Sequence, residues 1–206
     1  MDKNILRSLS YGMYVIGAKE DRNIGCVVNT VFQITSDPMT IAVSINHDNY
    51  TNTVIKNTNK FSVSILDENI NPEIIGTFGY KSSKDIDKYD NFDYEEIDNL
   101  PILKDTCGNM ICKVVNSIET STHTIFIGEI TNMINYSDKK PMTYKYYHEV
   151  LKGKSPVNAP TYIKEENNKT VWKCSVCGYE VEKDELPEDF VCPICGENIN
   201  AFKKIG

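Results

Sequence analysis

Four cysteines near the end of the chain have the type and spacing to do chemistry. Cys174, Cys177, Cys192 and Cys195 form the pattern C-x2-C-x14-C-x2-C within "WKCSVCGYEVEKDELPEDFVCPICG". Two residues between thiolates let one tight turn present both sulfurs to a single ion, and two such turns facing each other complete a tetrahedron. Gly178 and Gly196 directly follow the second cysteine of each pair, where a positive φ is wanted and a side chain would crowd the sulfurs. Backbone N–H groups of such turns can then point at the thiolates. The spacing does not choose the ion, because a tetrahedral sulfur set suits zinc or iron. The choice matters, since zinc has no redox chemistry and iron can move electrons. Cys26, Cys107 and Cys112 stand alone and read as small apolar residues in strands.

The elements upstream must supply whatever the cysteine module works with. "GCVVNTVFQIT" alternates with period two, which predicts a strand with Cys26, Val28, Thr30, Phe32 and Ile34 on one face. "TIAVSIN", "KFSVSIL", "MICKVVNSI" and "HTIFIGEIT" are further β-branched runs. "NYTNTVIKNT" and "NPEIIGTFG" predict short helices between strands, and "PMTYKYYHEVLKG" a closing helix ended by Gly153. Many short antiparallel strands with few helices point to a mainly β fold, a barrel rather than a doubly wound sheet. The composition changes near residue 151. The division expected is a first domain over 1–152, a linker over 153–169 and a cysteine-bearing module over 170–206.

Composition excludes other classes. The 206 residues are 40% hydrophobic and 25% charged, with a net charge of −7, the profile of a soluble globular protein rather than one that clusters Lys and Arg for nucleic acid. The first residues have no apolar stretch like a secretory signal, and no later run approaches membrane-spanning length. A cytoplasmic location is expected, and paired C-x-x-C units in a reducing compartment favour metal over disulfides. There is no G-x-G-x-x-G and no G-x-x-x-x-G-K-[ST], so a nucleotide cofactor must be held another way. The three histidines suggest no metal cluster: His47 lies in the strand-to-helix loop that reads as a phosphate seat, His123 sits at a turn between two strands, and His148 lies near the end of the closing helix.

"CGY" after the first cysteine pair and "LPEDFVCPICG" at the second resemble rubredoxin, a carrier with one iron and four cysteines. The resemblance implies an aromatic core of Trp172, Tyr179, Phe190 and Phe202. The loop between the pairs is about half the usual rubredoxin length, like the shortened version fused to other redox domains, and this departure keeps a zinc ribbon open, with zinc as the substitute ion.

"GCVVNTVFQITSDPMTIAVSINHDNYTNTVIKNTNKFSVSIL" and "FGYKSSKDIDKYD" resemble the flavin reductase-like family, split β-barrels of Greek-key type that bind FMN and usually form homodimers. The similarity runs over about residues 5–162. Together the two parts resemble the high-molecular-weight rubredoxins, in which a flavin reductase domain is fused to rubredoxin. On this resemblance FMN would be held by Asn29, Thr30, Val31, Phe32 and Gln33 of one strand. Asn46, Asn49, Tyr50 and Thr51, where a strand ends and a helix opens, would form a phosphate seat, and Ser83 and Lys84 would contribute from a third segment. The plainer alternatives are a turn and helix cap for Asn46 and Asn49, solvent-facing strand positions for Asn29 and Gln33, and a solvated face for Lys84 and Lys88. His148 either approaches the flavin or caps its helix.

The resemblance implies an oxidoreductase that carries electrons from NADH or NADPH through FMN to iron, and on to a protein acceptor such as a flavodiiron protein. The rivals left open are a flavin-free barrel with a zinc ribbon for binding, and a carrier whose FMN is reduced by another protein.

Overall fold

The computed structural model describes residues 3–136, 138–156, 159–162, 171–183 and 185–205. Most of the linker expected over 153–169 lies outside the described residues. In chain order the elements are β1 (Tyr14–Lys19), β2 (Asn23–Val28), β3 (Val31–Ser36), β4 (Met39–Asn46), α1 (Tyr50–Thr58), β5 (Lys60–Ile65), α2 (Pro72–Tyr80), β6 (Tyr94–Ile97), β7 (Leu100–Leu103), β8 (Gly108–Glu119), β9 (His123–Asn135), α3 (Tyr144–Glu149), β10 (Val171–Cys174), β11 (Glu180–Val181) and β12 (Phe202–Ile205).

Seven strands form one antiparallel sheet in the order β2-β1-β5-β8-β9-β4-β3. Its concave face and α1 enclose a core in which Ile16, Cys26, Val43, Val54, Phe61 and Phe126 are each at most 1% exposed. Burying a Val, Ile or Phe side chain contributes about 1.5–3 kcal/mol. The sheet's edge strands, β2 and β3, are consecutive in the chain, and the barrel is split between them.

That split corrects one expectation. "GCVVNTVFQIT" is two strands, interrupted at Asn29 and Thr30. The alternation predicted across it does not hold: Cys26 is wholly buried while Phe32 is 63% exposed. The chain crosses from one edge of the sheet to the other here, so the inside-outside register resets. Thr30 anchors the crossing by donating its hydroxyl to the Ser44 carbonyl at 2.9 Å. The other β-branched runs and the first two helices appear where expected. β1 and the β6-β7 hairpin were not anticipated. The hairpin turns on Asp98 and Asn99, both at positive φ (52° and 64°), the geometry that two-residue hairpins need. The closing helix is shorter than expected. It stops at Glu149, and the Gly153 N–H returns to the Tyr147 carbonyl at 3.0 Å.

By packing, the chain divides into two compact units. One comprises Tyr11–Ile70 and Ser82–Tyr144, and is the barrel; the other comprises Met1–Ser10, Asn71–Lys81 and Lys145–Gly206. The second unit contains the small sheet β11-β10-β12, the four C-x-x-C cysteines, and α2. No helix among the described residues is long and apolar enough to cross a membrane.

Candidate metal centre and flavin site

The small sheet is what brings the cysteines together. β10 ends on Cys174, which pairs with Phe202 of β12, and the chain then turns through Cys177 to β11. Both turns close alike: the N–H of Gly178 donates to the Cys174 carbonyl at 2.9 Å, and that of Gly196 to the Cys192 carbonyl at 3.0 Å. Both glycines sit at positive φ, +75° and +72°, as their place after each pair requires. Phe202 packs edge-on against Tyr179 and Phe190, with centroids 6.4 and 5.2 Å away. Trp172 is half-buried and donates its indole N–H to the Lys183 carbonyl at 2.9 Å.

The ligand atoms of Cys174, Cys177, Cys192 and Cys195 all lie within 4.8 Å of one another, and all four residues are buried. Cys174 and Cys195 sulfurs are 3.6 Å apart, and those of Cys177 and Cys192 3.4 Å. An ion bonded to four sulfurs at about 2.3 Å sets their edges near 3.8 Å, so the four fit one tetrahedral ion. Crowding makes the thiols unequal. Sulfur contacts from Cys177 and Cys195, helped by the N–H groups of Ile194 and Cys195, hold Cys192 down to about 4. The contacts with Cys192 and Cys195 push Cys177 up. With the Cys177 and Cys195 thiols raised beside Cys192, a cation is what would let these sulfurs become thiolates together. The Tyr179 N–H points at the Cys177 sulfur, 3.4 Å away.

In the barrel, three segments converge. The Ser83 hydroxyl accepts from the Gly25 N–H at 3.3 Å and donates to the Gly25 carbonyl at 3.1 Å. Lys88 is 3% exposed and donates its ammonium to that same carbonyl at 2.9 Å. The neighbouring Cys26 thiol, held neutral by burial, faces Lys88, Thr51 and Asn49. The Lys84 ammonium lies over the Tyr50 ring, 5.5 Å from its centroid. The structure thus unites Asn49, Tyr50, Thr51, Ser83 and Lys84, which are far apart in sequence, around β2 and the start of α1.

The turn and capping roles of the asparagines are also real. Asn46 Oδ1 accepts the Asp48 N–H at 2.8 Å, and Asn49 Oδ1 caps α1 by accepting the Thr51 N–H at 3.0 Å. On the crossing and β3, Asn29 is 7% exposed and so is no solvent-facing position. Val31 packs against the core, Phe32 and Gln33 are exposed, and Gln33 donates its amide to the Thr35 carbonyl at 3.2 Å.

Lys88 belongs to the "FGYKSSKDIDKYD" stretch but is not among the expected flavin-binding residues, and the solvated face suggested for it does not hold. Burial lowers its ammonium to about 8, leaving it ready to gain from an anion. Its burial, like that of the next residue, Tyr89, shows only in the folded chain. Thr51 Oγ1 is buried with no oxygen or nitrogen to bond, only the Cys26 thiol beside it. Such an orphaned hydroxyl carries a cost unless a ligand meets it. Helix N–H groups, a buried cation and a free hydroxyl at one place fit a phosphate-bearing flavin.

Of the histidines, His123 opens β9 as expected. His47 Nε2 is 2.9 Å from Glu119 Oε2. His148 lies on α3 in the unit that holds the cysteines, with Nδ1 2.7 Å from the Gly153 carbonyl. Of the lone cysteines, Cys112 lies in β8 with its thiol pushed up to about 12 by burial. Cys107 is half-buried in the turn before β8, so it is not a strand residue.

Comparison with known proteins covers both regions of the chain. The flavin reductase like domain family matches residues 6–153, and the rubrerythrin, rubredoxin-like domain family matches residues 172–203. A high molecular weight rubredoxin of Moorella thermoacetica is 40% identical over an alignment of 229 positions, gaps included, covering 100% of both chains. A ferric-chelate reductase (NAD(P)H) of Archaeoglobus fulgidus is 35% identical over 79% of this chain and 98% of its own. The solved structure of the NADH:FAD oxidoreductase SgcE6 of Streptomyces globisporus shares the fold, with a TM-score of 0.65 over 68% of this chain and 85% of that one, at 17% identity. Fold and site define a flavin reductase-like oxidoreductase with an appended sulfur-ligated metal module. The chain belongs to the flavin reductase-like family in its rubredoxin-fused form, that of the high-molecular-weight rubredoxins.

Proposed function

We propose that the protein is an NAD(P)H-dependent reductase that uses FMN and a four-cysteine iron centre to deliver electrons singly to a protein acceptor. The observation that carries this reading is the pairing, in one chain, of a flavin reductase-like barrel with four buried sulfurs at tetrahedral spacing. Bound flavin accepts two electrons together and releases them one at a time, and the cysteine-held iron carries one. Overall, one NAD(P)H yields NAD(P)+, one proton and two electrons for two one-electron deliveries.

The chain's own groups divide this work. The start of α1, the Thr51 hydroxyl, Ser83 and the Lys88 ammonium hold the phosphate end of FMN, with Asn46, Asn49, Tyr50 and Lys84 around it. Asn29, Thr30, Val31, Phe32 and Gln33 present backbone and amide groups to its rings. Cys174, Cys177, Cys192 and Cys195 hold iron, and N–H groups aimed at the sulfurs spread the thiolate charge. Residues 1–152 supply the flavin site and 170–206 the iron site. Fusing them makes transfer intramolecular, which raises the effective concentration of the partners.

A flavodiiron protein in the cytoplasm is the acceptor we propose. Among residues 165–206 there are nine Asp or Glu and five Lys or Arg, a difference of −4, which suits a partner with a basic patch. The barrel acts as a homodimer. The outer face of its sheet sets Phe32 beside Ala42 and Ile127, with Ile118 opposite Ile125, and leaves Phe32 63% and Ile118 50% exposed. Two large exposed apolar side chains on this face, Phe32 and Ile118, fit a second copy of the same sheet.

Metal analysis with a visible spectrum tests the reading. Iron at one per chain and a flavin band support it; zinc alone, in a colourless protein, refutes it.

A further inference from the structure

Helix α2 belongs by sequence to the flavin reductase-like region and by packing to the unit that holds the cysteines. Its middle residue is Gly76, a poor helix former that normally weakens a helix. A Cβ there would stand 2.6 Å from both Cα and Cβ of Cys195 and 2.9 Å from the Ile194 carbonyl oxygen. The helix backbone therefore lies directly against a metal-ligand turn, an approach only glycine permits. Contact continues along the turn. The Glu73 carboxylate lies where a side chain on Gly196 would go, 2.6 Å from that Cβ position. Lys81 at the helix end is 3.9 Å from the Glu197 carboxylate. Three consecutive turn residues, Cys195, Gly196 and Glu197, thus face Gly76, Glu73 and Lys81. Cys195 is also the most exposed of the four ligands, at 8% against 1–2% for the others.

We propose that α2 is a seat for the Cys195–Glu197 turn and that Gly76 is a positioning residue for the one-electron step. It holds the turn that carries Cys195 in place at the metal site, and leaving the seat uncovers Cys195 toward an acceptor. The second half of this proposal rests on the electron-transfer reading above; the seat itself does not.

Gly76→Ala in the full flavin- and iron-loaded chain separates the possibilities by sign. Alanine is the better helix former, so on an unseated helix it protects the turn equally well or better. Against a seated turn its methyl group has no room. The result expected is amide hydrogen exchange across 192–198 faster by about tenfold or more. Iron content and the ferric-thiolate spectrum should be unchanged, and flavin bleaching by NADH should keep its rate. Iron reduction should slow by about tenfold or more. Unchanged exchange overturns the seat. Faster exchange with unchanged iron reduction overturns the positioning role. A wild-type protein whose iron is never reduced refutes the electron-transfer reading, while exchange still decides the seat. Should Gly76→Ala fail to fold, Lys81→Glu must speed exchange in the same turn and the added Glu197→Lys must restore it; failure of that rescue overturns the seat.

Discussion

At the residue scale, the informative side chains are those whose surroundings do not suit them. Lys88 is buried beside Gly25 and its ammonium is lowered from 10.5 to about 8. At this group the unfolded chain binds more protons than the folded one between those values, so the contribution of Lys88 to the stability of the ligand-free protein grows as pH rises from about 8 to 10.5. The whole gain is roughly 3 kcal/mol. Denaturant titrations across that range should show the stability of wild type minus that of Lys88→Met rising with pH. The raised Cys26, Cys112 and Tyr89 groups titrate with the opposite sign but are common to both proteins. Thr51→Val should leave the ligand-free protein as stable or more stable, because it removes a buried hydroxyl with no oxygen or nitrogen partner. It should weaken FMN binding by about tenfold, the worth of one hydrogen bond, measured by fluorescence titration. Cys192→Ser should abolish iron binding and acceptor reduction while NADH still bleaches the flavin. Loss of both would show that the metal module holds up the barrel.

At the element scale, the sequence was legible where a run of side chains must meet one continuous environment. β4, β5, β8 and β9 each line the core with alternate residues, so their β-branched runs announced them. α1 carried its own cap in Asn49. The "GCVVNTVFQIT" stretch misled because its alternation continues through Asn29 and Thr30 while the chain changes sheet edge, and no local preference records that change. The β6-β7 hairpin was missed because its turn is Asp-Asn rather than the stronger Asn-Gly or Asp-Gly. Asn99→Gly should accordingly hold or raise stability, while Asn99→Val, forced to φ 64°, should cost about 1–2 kcal/mol by thermal unfolding. The metal site was legible to the residue, since spacing alone sets up a four-sulfur cage. The flavin site was legible only in part. Asn49, Thr51 and Ser83 carried a motif, but Lys88 became visible only when folding buried it, and the packing of α2 on Cys195 has no local signature at all.

At the scale of the whole molecule, the account rests on two centres in one chain: a barrel that receives reducing equivalents in pairs and a sulfur cage that passes them on singly. Light scattering should give twice the chain mass, and Ile118→Asp should give the monomer by placing a charge on the face that exposes Phe32 and Ile118. The central claim is that the two centres are wired together, and anaerobic stopped-flow absorption after mixing with NADH and, separately, NADPH tests it most directly. With at least one of them, the flavin band should bleach first and the ferric-thiolate band should fade after it, in the absence of any other protein. A ferric band that persists while the flavin stays reduced, or a cage that holds zinc, would contradict it.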